Sequence, residues 1–181
     1  RDVAPSRGLG DVYKRQVDIG CGLPSLIPID AISVSRITHP NDRFFNGQDI
    51  YAVVKSCDED RICLSHKELL GTWEENAALF STGETVGGIV RSIEPYGIFI
   101  ELAPNLAGLA EPRENVRVGQ AASVYIKALI PEKMKVKLII VDVFENSVFP
   151  SKINYFITSG RLTKWVYSTN ECYKNICSEF V

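Results

Sequence analysis

Between Gly83 and Phe144 the chain runs through five short apolar segments, GETVGGIVRSI, YGIFIEL, AGLAEP, ASVYIKALI and KVKLIIVDVF, separated by little more than turn-forming residues. Segments rich in Val, Ile and aromatic residues and bounded by Gly, Pro and Asn read as β-strands. No stretch between them is long enough for a crossover helix, so a parallel sheet is disfavoured. The expectation is a small antiparallel five-stranded barrel, which leaves no strand edge unpaired.

The upstream text has the same character. VDIG, CGLPSLIPI, DIYAVVKS and RICLS are strand-like runs beginning at Val17. The two regions also match each other: NGQDIYAVVKSC at 46–57 aligns with VGQAASVYIKAL at 118–129. Gly47-Gln48 then falls on Gly119-Gln120, Lys55 on Lys127, Arg61 on Lys135 and Leu64 on Leu138. Two copies of one small unit explain this best. Between them, Leu69, Leu70, Trp73 and Ala77 recur at helical spacing, which predicts a helical joining segment over 66–80.

The two ends read differently. Residues 1–16 show no period of two or of 3.6, resemble translated adaptor sequence, and are expected to lie outside the fold. The chain opens on Arg1 rather than methionine and is expected to be a fragment. At the other end INYFIT and RLTKWVY flank Ser159-Gly160, a plausible hairpin turn, and Ser168 with Glu171 could form a capping box opening a helix. Such a hairpin plus helix is too small to fold alone and should dock on the barrel. The expected organisation is a leader 1–16, an incomplete first unit 17–67, a helical linker 68–83, a complete barrel 84–144 and an α+β tail 145–181.

Charge divides unevenly. Residues 17–83 carry five Lys/Arg against ten Asp/Glu, whereas residues 84–144 carry seven of each. Any attraction for phosphates must therefore be local. The five cysteines include no Cys-x-x-Cys pair, and His39 and His66 stand apart, so neither a zinc site nor a disulfide framework is suggested. Asp58, Glu59 and Asp60 read as a solvated turn rather than a magnesium site. No apolar run reaches the roughly 20 residues of a membrane span. No phosphate-binding glycine loop and no nucleophile with an adjacent base is visible, so neither catalysis nor a cofactor is expected.

Within GIFIEL, alternation sends Ile98, Ile100 and Leu102 to one face and Phe99 with Glu101 to the other. If the first set fills the barrel, Phe99 faces out, with Tyr96 just before Gly97 as a second ring. The same alternation turns Arg91, Lys127, Lys135 and Lys137 outward. Rings for base faces beside cations for phosphates are what a single-stranded nucleic acid needs. Scattered lysines and one exposed Phe are also ordinary on any surface, and the pattern alone leaves the two readings level.

GETVGGIVRSIEPYGIFIELAPNLAGLAEP closely resembles the opening of the S-one RNA-binding domain, an OB-fold barrel, in its glycine, valine, Tyr-Gly-x-Phe and Gly-Leu positions. GLPSLIPIDAISVSRI and DEDRICLSHKELLGTW resemble the later part of another copy, and LSHKELLGTWEENAA resembles linkers of the bacterial S-one ribosomal protein family. The resemblance implies tandem OB-fold barrels, the first lacking its opening strand. It further implies binding of single-stranded RNA, especially messenger RNA, on the small ribosomal subunit in the cytoplasm. The family's aromatic positions fall on Tyr96 and Phe99, and its basic position on Lys135, with Arg61 in the first copy and Lys55 matched to Lys127. Two other roles stay open: an acidic module docking onto a basic protein surface, or an accessory piece of a larger enzyme.

Overall fold

The computed structural model of the chain describes residues 13–147 and 152–180. They form two units. One holds residues 13–71 with 152–165 and 178–180, and the other 72–147 with 166–177.

The second unit is a closed barrel of five strands, β5 (Thr85–Glu94), β6 (Gly97–Ala103), β7 (Leu106–Ala110), β8 (Gln120–Ile130) and β9 (Lys135–Ser147), in the order β5-β6-β7-β9-β8. Alternation fills it as expected: Val90, Ile98, Ile100, Val124, Ile126 and Leu138 are all buried. One ladder departs from the antiparallel expectation, because β7 and β9 run parallel. No helix is needed there, since the whole length of β8 makes the crossover. Gly97 opens β6 where a side chain has no room: a Cβ would lie 2.6 Å from the Ala110 carbonyl oxygen and 2.7 Å from Leu109 Cδ1.

The first unit is a four-stranded sheet of β1 (Lys14–Val17), β2 (Ser25–Pro28), β3 (Val53–Cys57) and β4 (Ile62–Ser65), in the order β1-β2-β4-β3. Strand sense and order repeat those of β6-β7-β9-β8: antiparallel, parallel, antiparallel. No described strand joins β1 to β3 as β5 joins β6 to β8 in the barrel. Strand β1 begins at Lys14, inside the stretch expected to lie outside the fold; residues 1–12 fall outside the described residues. The core gathers Ile27, Ile32, Phe44, Leu64 and Leu70 with Ile153 from the C-terminal segment.

Local details follow the internal match. Gly47 and Gly119 both have positive φ, 83° and 93°. The side-chain Oε1 of Gln48 accepts from the Phe45 N–H at 3.1 Å, and that of Gln120 from the Arg117 N–H at 2.8 Å. Each glutamine thus closes the turn that precedes its strand, β3 in the first unit and β8 in the barrel.

The joining segment is helical in two short pieces, a 3-10 turn Lys67–Leu70 and α1 (Trp73–Ala77). Gly71 at φ 91° separates them, and Thr72 with Glu75 forms the capping box that starts α1. Leu69, Leu70, Trp73 and Ala77 are buried, as their spacing predicts.

The C-terminal segment differs from expectation. No helix starts at Ser168 among the described residues; its hydroxyl accepts the Ile176 N–H at 2.7 Å and closes a loop instead of a helix. Nor does the chain pair across Ser159-Gly160: β10 (Lys164–Val166) pairs with β11 (Cys177–Glu179). The loop is held to the barrel by the Tyr167 hydroxyl, which donates to the Asn105 carbonyl at 2.5 Å, and by the Thr169 hydroxyl on the Pro131 carbonyl at 2.7 Å. Buried tertiary hydrogen bonds here outweigh a local capping preference that offers about 1 kcal/mol.

Candidate nucleic-acid interface

The two rings of interest are set by the β5–β6 hairpin. Glu94 pairs with Gly97, leaving Pro95-Tyr96 as a two-residue loop. Tyr96 is 64% exposed at its tip, and its ring meets that of Phe99 edge to face, with centroids 6.1 Å apart and planes at 85°. Phe99 is half-buried on the outer side of β6, opposite in direction to the buried Ile98 and Ile100. The pair offers one ring edge-braced by another, a geometry that leaves faces for stacking.

Cross-strand pairing carries the site around the barrel. Phe99 pairs with Leu109, Leu109 with Lys137, and Lys137 with Ala128. With strands spaced about 4.8 Å, Lys137 stands about 10 Å from Phe99 along that row. Lys127 is the extra residue of a bulge in β8 between Ile126 and Ala128, which leaves it exposed beside Lys137. Lys135 pairs with Ile130 at the end of the β8–β9 hairpin and is also exposed. None of these three lysines has an ion-pair partner among the described residues. A phosphate approaching them displaces counterions, not a protein carboxylate.

Arg91 is placed otherwise. It is the bulged residue of β5 between Val90 and Ser92, and its Nη2 donates to Glu101 Oε2 at 2.8 Å. Their side chains are only 13% and 3% exposed, so the cation expected to face outward and free is covered and matched by charge. Glu101, expected on the outer face, is buried for the same reason. Only Arg91 is displaced by a bulge, that at Val90/Ser92; Glu101 keeps regular register with Ile89 and Ala107 and the face of Phe99, and it is covered there with Arg91 against it. The bulge at Glu101/Ala103 falls on Leu102, which is expected in the barrel core and is only half-buried.

Arg61 and Lys55 belong to the first unit. Lys55 is exposed at a bulge in β3 between Val54 and Ser56, and exposed Arg61 lies 3.9 Å from Asp58. The row matching Phe99-Leu109-Lys137-Ala128 reads Gln16-Leu26-Cys63-Ser56, with neither ring nor cation. Asp58 closes its turn through its N–H on the Arg61 carbonyl, and among the described residues no three His, Cys, Asp or Glu side chains gather as metal ligands do. No described helix is long and apolar enough to cross a membrane.

No protein-family model matches the chain. Small ribosomal subunit protein bS1 of Chlamydia muridarum is 30% identical over 141 residues, covering 70% of this chain and 25% of that protein. The bS1 homolog of Bacillus subtilis is 32% identical over 136 residues, covering 72% and 34%, and bS1 of Staphylococcus aureus is 31% identical over 136 residues, covering 67% and 34%. Among solved structures, a multidomain protein with nucleic acid binding domains from Streptococcus pneumoniae aligns over 78% of this chain and 50% of that one, at 18% identity and a TM-score of 0.35, too slight a likeness to argue from. The chain spans about a quarter to a third of the length of the relatives it matches. At some 30% identity across most of its own length, the chain is similar to several bacterial small-subunit ribosomal proteins of the S-one family.

Proposed function

We propose that the barrel binds single-stranded RNA on its outer face, as part of a cytoplasmic protein that holds messenger RNA at the small ribosomal subunit. The carrying observation is the conjunction of the Tyr96 and Phe99 rings with Lys127, Lys135 and Lys137, cations with no ion-pair partner among the described residues. Bases stack on the rings, and the sugar-phosphate backbone follows the Phe99-Leu109-Lys137 row. Nothing in this reading requires catalysis or a cofactor. Strand order, the two glutamine-closed turns and the two lysine bulges support reading the first unit as a second copy of the domain without its opening strand. The test is titration of the full chain with labelled oligouridylate at several salt concentrations, beside the double variant Tyr96→Ala, Phe99→Ala. Affinity should fall with salt at about −0.7 per phosphate contacted and weaken in the double variant. Binding indifferent to both sinks the reading.

The first unit lacks the groups that this reading uses: its Gln16-Leu26-Cys63 row has neither ring nor cation. As folded, residues 13–71 with 152–165 and 178–180, it carries ten basic against nine acidic residues, so the acidic docking surface expected from residues 17–83 is not a property of this unit.

A further inference from the structure

The barrel carries a second exposed apolar area that the Tyr96-Phe99 site does not use. Tyr125 of β8 pairs directly with Ile139 of β9, and Val141 follows on the same side of β9. These side chains are 38%, 45% and 54% exposed, a contiguous aromatic and aliphatic surface where an outer barrel face would ordinarily be polar. On its other side Tyr125 pairs with Thr85 of β5, and its hydroxyl reaches Gly83, where a Cβ would lie 3.9 Å from it.

The surroundings say what this surface receives. Lys127 lies two residues along β8 from Tyr125, and Lys137 two residues along β9 from Ile139, so both lysines stand on the side facing the Phe99-Leu109-Lys137 row. On the far side Ser123 pairs with exposed Asp142, which repels phosphate and ends the path. From one end to the other, the outer face presents two rings, an apolar step at Leu109, two free cations, and then a third ring on an aliphatic floor. That is an alternation of base platform, phosphate seat and base platform.

We propose that Tyr125, braced by Ile139, is a second base-stacking platform for the same RNA strand, occupied by nucleotides beyond those held by Tyr96 and Phe99. The inference rests on the RNA reading above and extends it. It makes the footprint length-dependent: a short oligonucleotide satisfies one platform, and only a longer one, passing the lysines, reaches both.

The experiment uses the full chain and two oligouridylates, of about 4 and about 12 nucleotides, within the range of site sizes for one OB-fold. Tyr125→Ala should weaken the longer by about fivefold or more, the loss of one stacked base, and leave the shorter within about twofold. Tyr125→Phe, which keeps the ring, should bind both as the unaltered chain does, and the retained affinity of Tyr125→Ala for the shorter excludes a folding effect of losing the ring. Phe99→Ala should weaken both lengths. If Phe99→Ala weakens both while Tyr125→Ala leaves the longer unaffected, or lowers the two lengths equally, the second platform is overturned and the first stands. If Phe99→Ala affects neither, the RNA reading itself fails and this inference fails with it.

Discussion

Lys55 and Lys127 occupy equivalent places in two separate sheets: each is the extra residue of a bulge, opposite β4 in one case and β9 in the other. A bulge leaves its residue without a ladder partner and turns the strand locally, so both side chains are exposed on the outer face. Their neighbours differ. Beside Lys127 stands Lys137, whereas the corresponding position in the first unit is Cys63.

That difference separates the two lysines functionally. Lys127→Ala and Lys137→Ala should each weaken RNA binding and flatten the salt dependence by about 0.7 in slope, one phosphate contact apiece. Lys55→Ala should leave both affinity and slope nearly unchanged. Salt titrations of the three variants check this, and an equal effect at Lys55 would return RNA contact to the first unit.

The Arg91–Glu101 pair predicts a loss of stability rather than of binding. Removing one partner from a buried ion pair leaves the other charge uncompensated, which costs about 3–5 kcal/mol. Arg91→Ala should therefore lower the urea midpoint of the barrel strongly, and Glu101→Gln somewhat less because the amide still accepts a hydrogen bond. An Arg91→Ala protein that melts normally yet loses RNA affinity would restore Arg91 to the RNA-binding face.

What the sequence disclosed and what it hid follow from the same geometry. The inward set Ile98, Ile100, Val124, Ile126, Val136 and Leu138 was legible because unbroken alternation carries one side chain in two to the core. Tyr96 and Phe99 were legible because glycine and strand pattern fix their face. Arg91 and Leu102 were misread at bulges, which leave no mark in composition, and Glu101 because its ion pair with Arg91 covers it on the outer face. The C-terminal helix was misread because Ser168 and Glu171 satisfy a local rule, while the Tyr167 and Thr169 hydrogen bonds that override it join residues 62 and 38 positions apart. Tyr125 passed unnoticed because its partner Ile139 lies on the neighbouring strand, and only the register brings them together.

Gly97 should prove intolerant of even one methyl group. Its Cβ would stand 2.6 Å from a backbone oxygen that belongs to the β6–β7 ladder and cannot swing aside. Overpacking of this kind costs about 1–3 kcal/mol, and relief by shifting the hairpin would also move Tyr96 away from Phe99. Gly97→Ala should thus lower both the melting point and RNA affinity, whereas Gly87→Ala on β5, whose Cβ would meet nothing within 4 Å, should do neither.

Stability of the first unit should depend on pH through His66. The ring is fully buried; its Nδ1 lies 2.6 Å from the Ile32 carbonyl, which can only accept, so Nδ1 carries the proton and Nε2 accepts from the Tyr155 hydroxyl at 2.9 Å. Phe44 and Tyr155 meet the ring edge to face. Burial lowers its pKa from 6.5 to about 4, the Ile32 hydrogen bond works against that shift, and the nearby Arg43 charge adds to it. Because the unfolded chain takes up a proton more readily than the folded one, the contribution is complete above pH 6.5 and is lost as pH falls toward 4. The loss amounts to about 2 kcal/mol by pH 5. Urea midpoints followed through Trp165 fluorescence in a Trp73→Phe background should fall from pH 7 to pH 5, and His66→Gln should remove most of that slope while starting from a lower midpoint. Equal slopes in the two proteins would mean that the ring is protonated as easily in the fold as out of it.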